Sequence, residues 1–439
     1  MARGSAVVVG GSVAGLLAAR ALSDRFEQVT VFDRDALPPE PRPHTGVPQG
    51  RQVHALLHRG AETLGALLPG FLDDLKGAGV PTGDGQRDHH MYLDGHLIVP
   101  AASGLTLYGA SRSLIEYLIR TRVTALPNVA IVDGTAVTGL VLTGDGERVA
   151  GVRPAGAEEV RADLVVDATG RGSHGARWLR EAGAPVPPTS AIRADVVYVT
   201  RHYARRPEHL NGLLGATIIP YPGMRRGGVV VRQEGDRFAI VLAGMLGEEP
   251  PLDEGAYAAW ARSLPSSEVA DVIDTSEPLD EPAKMRFRQS VRHHFERLDA
   301  PPAGFLAVGD ALCDFNPVYG QGMTVAAMEA ELLRDLLAGE EEHDLPRRFF
   351  AAAAKVVDGP WQLAAGGDYR FPEVEGRRPA LGRLVERYLD RYRAAASVDP
   401  VLGTRFLHVA HLMAPPSRLL SPPTALRVMR ARPGRRASR

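Results

Sequence analysis

The run Ala6-Val-Val-Val-Gly10-Gly11-Ser12-Val13-Ala14-Gly15 decides how this 439-residue chain begins to fold. Ala6 to Val9 is short and wholly apolar, as expected of a parallel strand covered on both faces. Gly10 opens a tight turn, and Gly15 stands where a helix must approach that strand closely. Ser12 takes the place of the middle glycine of G-x-G-x-x-G, and its small side chain narrows the approach of a phosphate without closing it. The pattern predicts a helix from Val13 to Leu22, its free amides and positive dipole end aimed at a pyrophosphate. A second strand, Val29-Thr-Val-Phe32, ends in Asp33, 18 residues after Gly15. The ribose-binding acid of a dinucleotide site is expected about 20 residues on.

A second segment stands some three hundred residues later: Gly309-Asp310-Ala-Leu-Cys-Asp314-Phe-Asn316-Pro317-Val-Tyr319-Gly320-Gln321-Gly322-Met323-Thr324. Gly320 and Gly322 let the backbone come close to a planar ring. The helix predicted from Gly322 to Leu337 aims its positive end at the same place, which reads as where the rest of a flavin is held. Either segment alone is a weak signal, but both together, in this order, point to an FAD protein.

Hydrophobic content of 44% and charged content of 23% are those of an ordinary globular chain long enough for two or three domains. A net charge of −1 provides no general attraction to nucleic acid or to acidic membranes. One cysteine, Cys313, excludes an internal disulfide and fits a reducing cytoplasm; it reads as a small buried residue beside the second motif, or else as a reactive thiol. No apolar run has membrane-spanning length, and the first apolar segment reads as a strand rather than a signal peptide. Only three of the 51 basic residues are lysines, a bias that fits a GC-rich genome.

Between the motifs, a helix is expected from Arg51 to about Leu68 after the Pro-rich loop Leu37–Pro48, then short strands from Val80 to Leu107. An amphipathic helix follows, Ser111 to Arg120, with Ser111 as its cap. Val129–Leu142, Arg148–Val152 and Asp163–Asp167 read as strands. Ala191 to Leu246 alternates as a mostly antiparallel inserted sheet, and Phe305–Val308 restores a parallel core strand. Residues from Glu340 to Leu426 are helical by pattern, interrupted at Pro360, Pro372, Pro379, Pro400 and Pro415-Pro416. Arg427, Arg430, Arg432, Arg435, Arg436 and Arg439 form a basic end that reads as disordered.

With these segments placed, the chain resembles the FAD-dependent monooxygenases of the aromatic-hydroxylase superfamily, the group A flavoproteins. The likeness is greatest to the epoxidase-like bacterial members that tailor polyketides. The last 80 residues are its least specific part. The resemblance implies an α/β fold, α+β overall, with a Rossmann-like FAD-binding domain in three segments (1–80, 105–190 and 283–340). It further implies a substrate-binding sheet (81–104 and 191–282), a C-terminal helical region (341–426) and the basic tail (427–439).

On this resemblance Gly10, Gly11, Ser12, Val13, Ala14 and Gly15 would hold the pyrophosphate, and Asp33 with Arg34 the adenosine ribose. Arg112 would contact the phosphate and ribityl region, and Asp310 of the Gly309-Asp310 pair a ribityl hydroxyl. Pro317, Gly320, Gln321, Gly322, Met323 and Thr324 would face the N1/C2 edge of the isoalloxazine, with Arg51, Val53, Val137 and Asp167 completing the cofactor wall. One departure stands out. The Asp-Gly pair common after the fourth strand is replaced by Asp167-Ala168-Thr169-Gly170-Arg171-Gly172, and no second dinucleotide fingerprint marks a nicotinamide site.

The family implies NAD(P)H as reductant, O₂ as co-substrate and oxygen transfer from a flavin C4a-hydroperoxide to an apolar substrate. A separate electron donor is the alternative to direct reduction. Such a transfer requires a dry site and an oriented substrate rather than paired carboxylates. Arg51, His54, Asn316 and Tyr319 are the candidates for the flavin face, against the plainer reading that His54 packs and caps locally. A metal is not expected: His89-His90 and His293-His294 point apart and lack partners at ligand spacing. A flavin halogenase is not expected either, because Trp178, Trp260 and Trp361 form no W-x-W motif and lysines are few. Two further chemistries remain: a non-redox [4+2] cyclase that keeps FAD as a structural part, and a flavin reductase acting on prenyl chains.

Overall fold

The computed structural model describes residues 3–43, 48–339, 344–376 and 382–433. Expectations for Pro379, for Arg435, Arg436 and Arg439, and for part of the Leu37–Pro48 loop lie outside these residues.

The first strand, Arg3–Val9, is the centre of a five-stranded sheet. Leu164–Asp167 and then Phe305–Ala307 lie on one side of it, Phe26–Phe32 and then Val129–Val132 on the other, every pair parallel. Ala6, Val7 and Val8 are all buried, as a parallel strand covered on both faces requires. The helix Val13–Ser23 covers one face, and Gly322–Ala338 packs on it, so the two motifs separated by three hundred residues end side by side.

The second layer is an eight-stranded sheet. Its long strand Thr189–Ala204 pairs antiparallel with Ala283–His293 and Arg237–Met245, and the sheet continues through Arg226–Gln233 and Gly215–Ile218 to His89–Leu93. Period-2 alternation sorts its side chains. Ile240 and Leu242 pack outward under two helices, Glu254–Arg262 and Glu268–Thr275, while Val241 and Ala243 face inward. Those two helices were not read from the sequence. Tyr257, Trp260 and Val269 on them supply the apolar face that covers the sheet.

Three expectations are corrected. The helix expected from Arg51 starts only at His58; Arg51 ends a short 3-10 turn, Pro48–Arg51. The Gln52 side chain bonds the Ala283 carbonyl (3.0 Å) and the Thr200 hydroxyl, which pins this stretch to the large sheet and keeps it out of a helix. Pro360 does not interrupt the C-terminal region but lies inside a 24-residue helix, Leu345–Asp368. Its missing N–H costs that helix about 3 kcal/mol, offset by burial of Phe349, Phe350, Ala353 and Val357 in the core. Finally, the basic end is not disordered from residue 427. The helix Pro422–Arg430 continues through it, with Arg427 making two 2.9 Å bonds to Asp399.

Phe305 is fully buried in an edge strand of the parallel sheet, next to the stacked pair Phe295 and Phe350 (4.4 Å between centroids). Phe305→Ala should therefore cost about 3–5 kcal/mol, read as a lower urea midpoint with an unchanged slope; an unchanged midpoint would refute this account of the core.

Candidate functional site

The turn after the first strand is shaped by two glycines. Gly10 has φ +109°, and a Cβ there would run into the Ala168 carbonyl. A Cβ at Gly15 would fall on the Gly10 carbonyl oxygen itself. Their bareness lets the helix start directly beneath the turn, and Ser12, Val13 and Ala14 at its N-terminus line a cavity of about 2150 Å³. The Gly11 N–H donates to Asp33 Oδ2 (2.6 Å) and the Asp35 N–H to Asp33 Oδ1 (2.9 Å), which holds the acid at the end of the second strand, where it and Arg34 also line the cavity.

Arg112 joins this end from the helix Arg112–Thr124, whose N-terminus Ser111 caps by accepting the Leu114 N–H. Its guanidinium donates to the Ser12 hydroxyl (2.8 Å) and to Glu116 (3.3 Å), while Ser12 donates to Glu116 (2.6 Å). Arg112 Nε is buried with no protein partner. A bare turn, a helix N-terminus and an unmatched buried guanidinium N–H together suit a pyrophosphate. Glu116 was not anticipated from sequence, although its i,i+4 spacing from Arg112 was visible.

The second motif forms the adjoining wall. After Phe305–Ala307 the chain makes a 3-10 turn at Gly309–Ala311, then another at Pro317–Tyr319, before the helix Gly322–Ala338. The Gly309 N–H donates to Glu329 Oε2 (2.6 Å), a fully buried carboxyl that burial pushes up to about 8 against that bond. Arg171, from the departed motif, lies 2.8 Å from Asp314 and 3.6 Å from Asp310 and stacks on Phe287 (4.6 Å). Burial and then the charge of Asp310 raise Asp314 to about 8, against the pull of Arg171.

Asn316 and Tyr319 are tied together by a residue the sequence did not announce, Asp368. Asp368 Oδ1 accepts from Asn316 Nδ2 (2.9 Å) and from the Tyr319 hydroxyl (3.0 Å), and Asn316 Oδ1 accepts from the Val318 N–H (3.1 Å) and the Tyr198 hydroxyl (3.2 Å). Burial raises the Asp368 carboxyl to about 7, and its position at the end of the Leu345–Asp368 helix disfavours negative charge as well. The network fixes a loop whose Gly320 stands at φ +66°.

His54 lines the cavity between the two ends. Its Nδ1 donates to the Gln52 carbonyl (2.9 Å); burial, then the Arg112 charge, hold its pKa near 3, so the ring is neutral with an acceptor at Nε2. Gly10, Ser12, Val13, Ala14, Asp33, Arg34, Val53, Arg112, Val137, Gly309, Asp310, Asn316, Pro317, Tyr319, Gly320, Gln321, Gly322 and Met323 are brought to this one cavity wall. Gly11, Gly15, Asp167 and Thr324 lie behind it: the Asp167 carboxylate is taken up by Thr169 and Ser173, and Thr324 packs against Gly60. Arg51 is exposed and stands apart from the wall, for the reason given above: the turn that ends at Arg51 is followed by an extended stretch, not a helix. Cys313 is buried, and burial pushes its thiol well up. Three of the four paired histidines have side-chain partners, Thr217 for His89, Glu268 for His90, and Ser190 with Glu296 for His294, while His293 Nδ1 is buried without one.

Glu329, Asp314 and Asp368 keep protons in the folded chain at pH values where the unfolded chain has lost them. Their contribution is complete below the unfolded values near ~4 and is lost as pH rises through about 7 to 8. The thermal midpoint should fall between pH 6 and pH 9, and Glu329→Gln should flatten that fall; equal slopes in both proteins would disprove the assignment.

No family model matches the chain. Protein Rv3254 of Mycobacterium tuberculosis is 33% identical over 426 residues, covering 92% of this chain and 88% of that protein. The chain belongs to the same family as Protein Rv3254. Among solved structures, the flavin-dependent brominase Bmp2 is similar with a TM-score of 0.68 at 17% identity, over 97% of each chain. PqsL of Pseudomonas aeruginosa, described as a probable FAD-dependent monooxygenase, has a TM-score of 0.61 at 15% identity, over 83% of this chain and 97% of its own. The Diels-Alderase PyrE3 of pyrroindomycin biosynthesis has 0.60 at 17% identity, over 93% and 80%. The fold is that of the group A flavoproteins.

Proposed function

We propose that this member of the Rv3254 family is an FAD-dependent monooxygenase that epoxidises or hydroxylates a largely apolar, polyketide-like substrate in the cytoplasm, with O₂ as co-substrate and NAD(P)H as reductant. The observation that carries the reading is a single cavity of about 2150 Å³ in which two helix N-termini, at Val13 and Gly322, meet the apolar inner face of the large sheet. Ordinary ligand pockets run to about 300–1,000 Å³, so this one has room for a dinucleotide and a second molecule.

FAD, when bound, supplies two-electron redox chemistry and the activation of O₂. The turn from Gly10 to Gly15, Asp33, Arg34, Arg112 and Asp310 would hold it, and the backbone from Pro317 to Met323 would carry its ring. Asn316, Tyr319 and Asp368 keep that backbone in one conformation. Val229, Val231, Val241 and Ala243 of the sheet exclude water from the space above. Neutral His54 presents a proton acceptor at Nε2, able to take a hydrogen bond from a substrate hydroxyl.

The second reading, a non-redox [4+2] cyclase that keeps FAD structurally, is favoured by one local feature. In the departed motif the Asp167 carboxylate is consumed by Thr169 and Ser173, and Arg171 is turned toward Asp310 and Asp314. The likeness to PyrE3 keeps company with it.

The FAD-loaded protein should bleach anaerobically with NADPH or NADH, and turnover under ¹⁸O₂ should put one labelled oxygen in the product. Full turnover without oxygen or reductant would replace the oxygenase by the cyclase. Asp310→Ala should fold, by circular dichroism, but retain less than about a tenth of the flavin, the loss expected when a charge-assisted hydrogen bond of ~1.5–3 kcal/mol is removed. A variant that stays fully yellow would overturn the cofactor site.

A further inference from the structure

The cavity does not stop at the loop held by Asn316 and Tyr319. It continues to a far wall built by three separate parts of the chain: Met91 on the strand His89–Leu93, Leu363 on the helix Leu345–Asp368, and Leu389 and Phe406 on the helices Gly382–Ala395 and Pro400–Ala410. Ile219 closes it from the sheet. These side chains belong to an apolar cluster whose centre, with Tyr392, Leu402 and Val409, is fully packed, yet they themselves are only partly buried. Their remaining surface is the cavity wall.

The charged groups beside this arm are already matched. Arg393 and Arg370 both hold Asp94 (2.8 and 2.6 Å) and Glu386 (2.5 and 2.7 Å), and Asp390 lies within 3.4 Å of both. Two guanidiniums shared among three carboxylates leave, among the described residues beside the arm, no cation waiting for an anionic ligand. His411, also in the wall, accepts the His58 N–H at Nδ1 (3.1 Å), and burial keeps its ring neutral. The arm is thus largely apolar, with its charged neighbours paired to one another, and continuous with the reaction space.

Resting on the oxygenase reading for the near end, we propose that this arm receives an uncharged hydrocarbon tail of the substrate, an aliphatic or polyene chain running from the Asn316–Tyr319 loop to the C-terminal helices. Those helices then set which chain lengths the enzyme accepts.

The test needs no turnover. FAD-loaded protein is titrated by calorimetry with 1-hexanol, 1-octanol, 1-decanol and 1-dodecanol. Affinity should rise about fourfold per added methylene, the equivalent of ~0.8 kcal/mol per buried CH₂. Leu389→Trp, which narrows the arm, should abolish the gain for the longer alcohols while leaving the flavin-to-protein absorbance ratio unchanged. Phe406→Ala, which widens it, should weaken dodecanol severalfold. Affinities independent of chain length, or variants that bind all four alcohols as the parent does, would overturn the arm. Length-dependent binding in a protein that transfers no labelled oxygen would support the arm and count only against the oxygenase reading.

Discussion

The close approach of Gly15 to the Gly10 carbonyl is the contact on which the remainder depends. It seats the Val13–Ser23 helix directly under the central strand, and that helix in turn is the surface on which Gly322–Ala338 packs. Both helices therefore present their N-termini to one space. Any side chain at Gly15 would push the first helix outward, and with it the second, so the two ends of the cavity are coupled through packing rather than through a hydrogen bond. Dense interiors transmit such displacements instead of absorbing them.

The same closeness explains the unusual number of proton-bearing acids behind the wall. Glu329 reaches the Gly309 N–H from the second helix, Asp368 reaches Asn316 and Tyr319 from the end of a third, and Asp314 lies beside Asp310. Glu329 and Asp368 hold backbone and loop geometry where the chain turns sharply, Asp314 holds Arg171, and each of the three is too deep to ionise cheaply. A carboxyl in its neutral form still accepts the hydrogen bonds that fix the loop, without placing a negative charge behind the cavity wall.

Local physics was legible from the residues, and tertiary physics was not. The strand–turn–helix at Ala6–Gly15, the cap at Ser111 and the helix after Gly322 follow from propensity, capping and glycine geometry within a few residues, and they stand where the sequence reading put them. The helix expected at Arg51 failed because Gln52 finds its partners on strands more than a hundred residues away. Pro360 was read as a break because its cost is local while the compensation, burial of two phenylalanines and their neighbours, is not. Asp368 escaped notice for a related reason: it sits in a stretch without a motif and gains its role only when its helix delivers it to a loop 49 residues earlier in the chain.

The departed motif brings the two proposed chemistries into one physical question. Arg171 is the charge that faces the Gly309-Asp310 pair, held by Asp314 and resting on Phe287. A hydroxyl that donates to Asp310 leaves the Asp310 charge in place, so Asp314 stays raised and Arg171 stays shared between the two carboxyls. A reductant that entered by this wall would have to displace Arg171 from Asp314, whereas a flavin kept only as a structural part would leave that pairing intact.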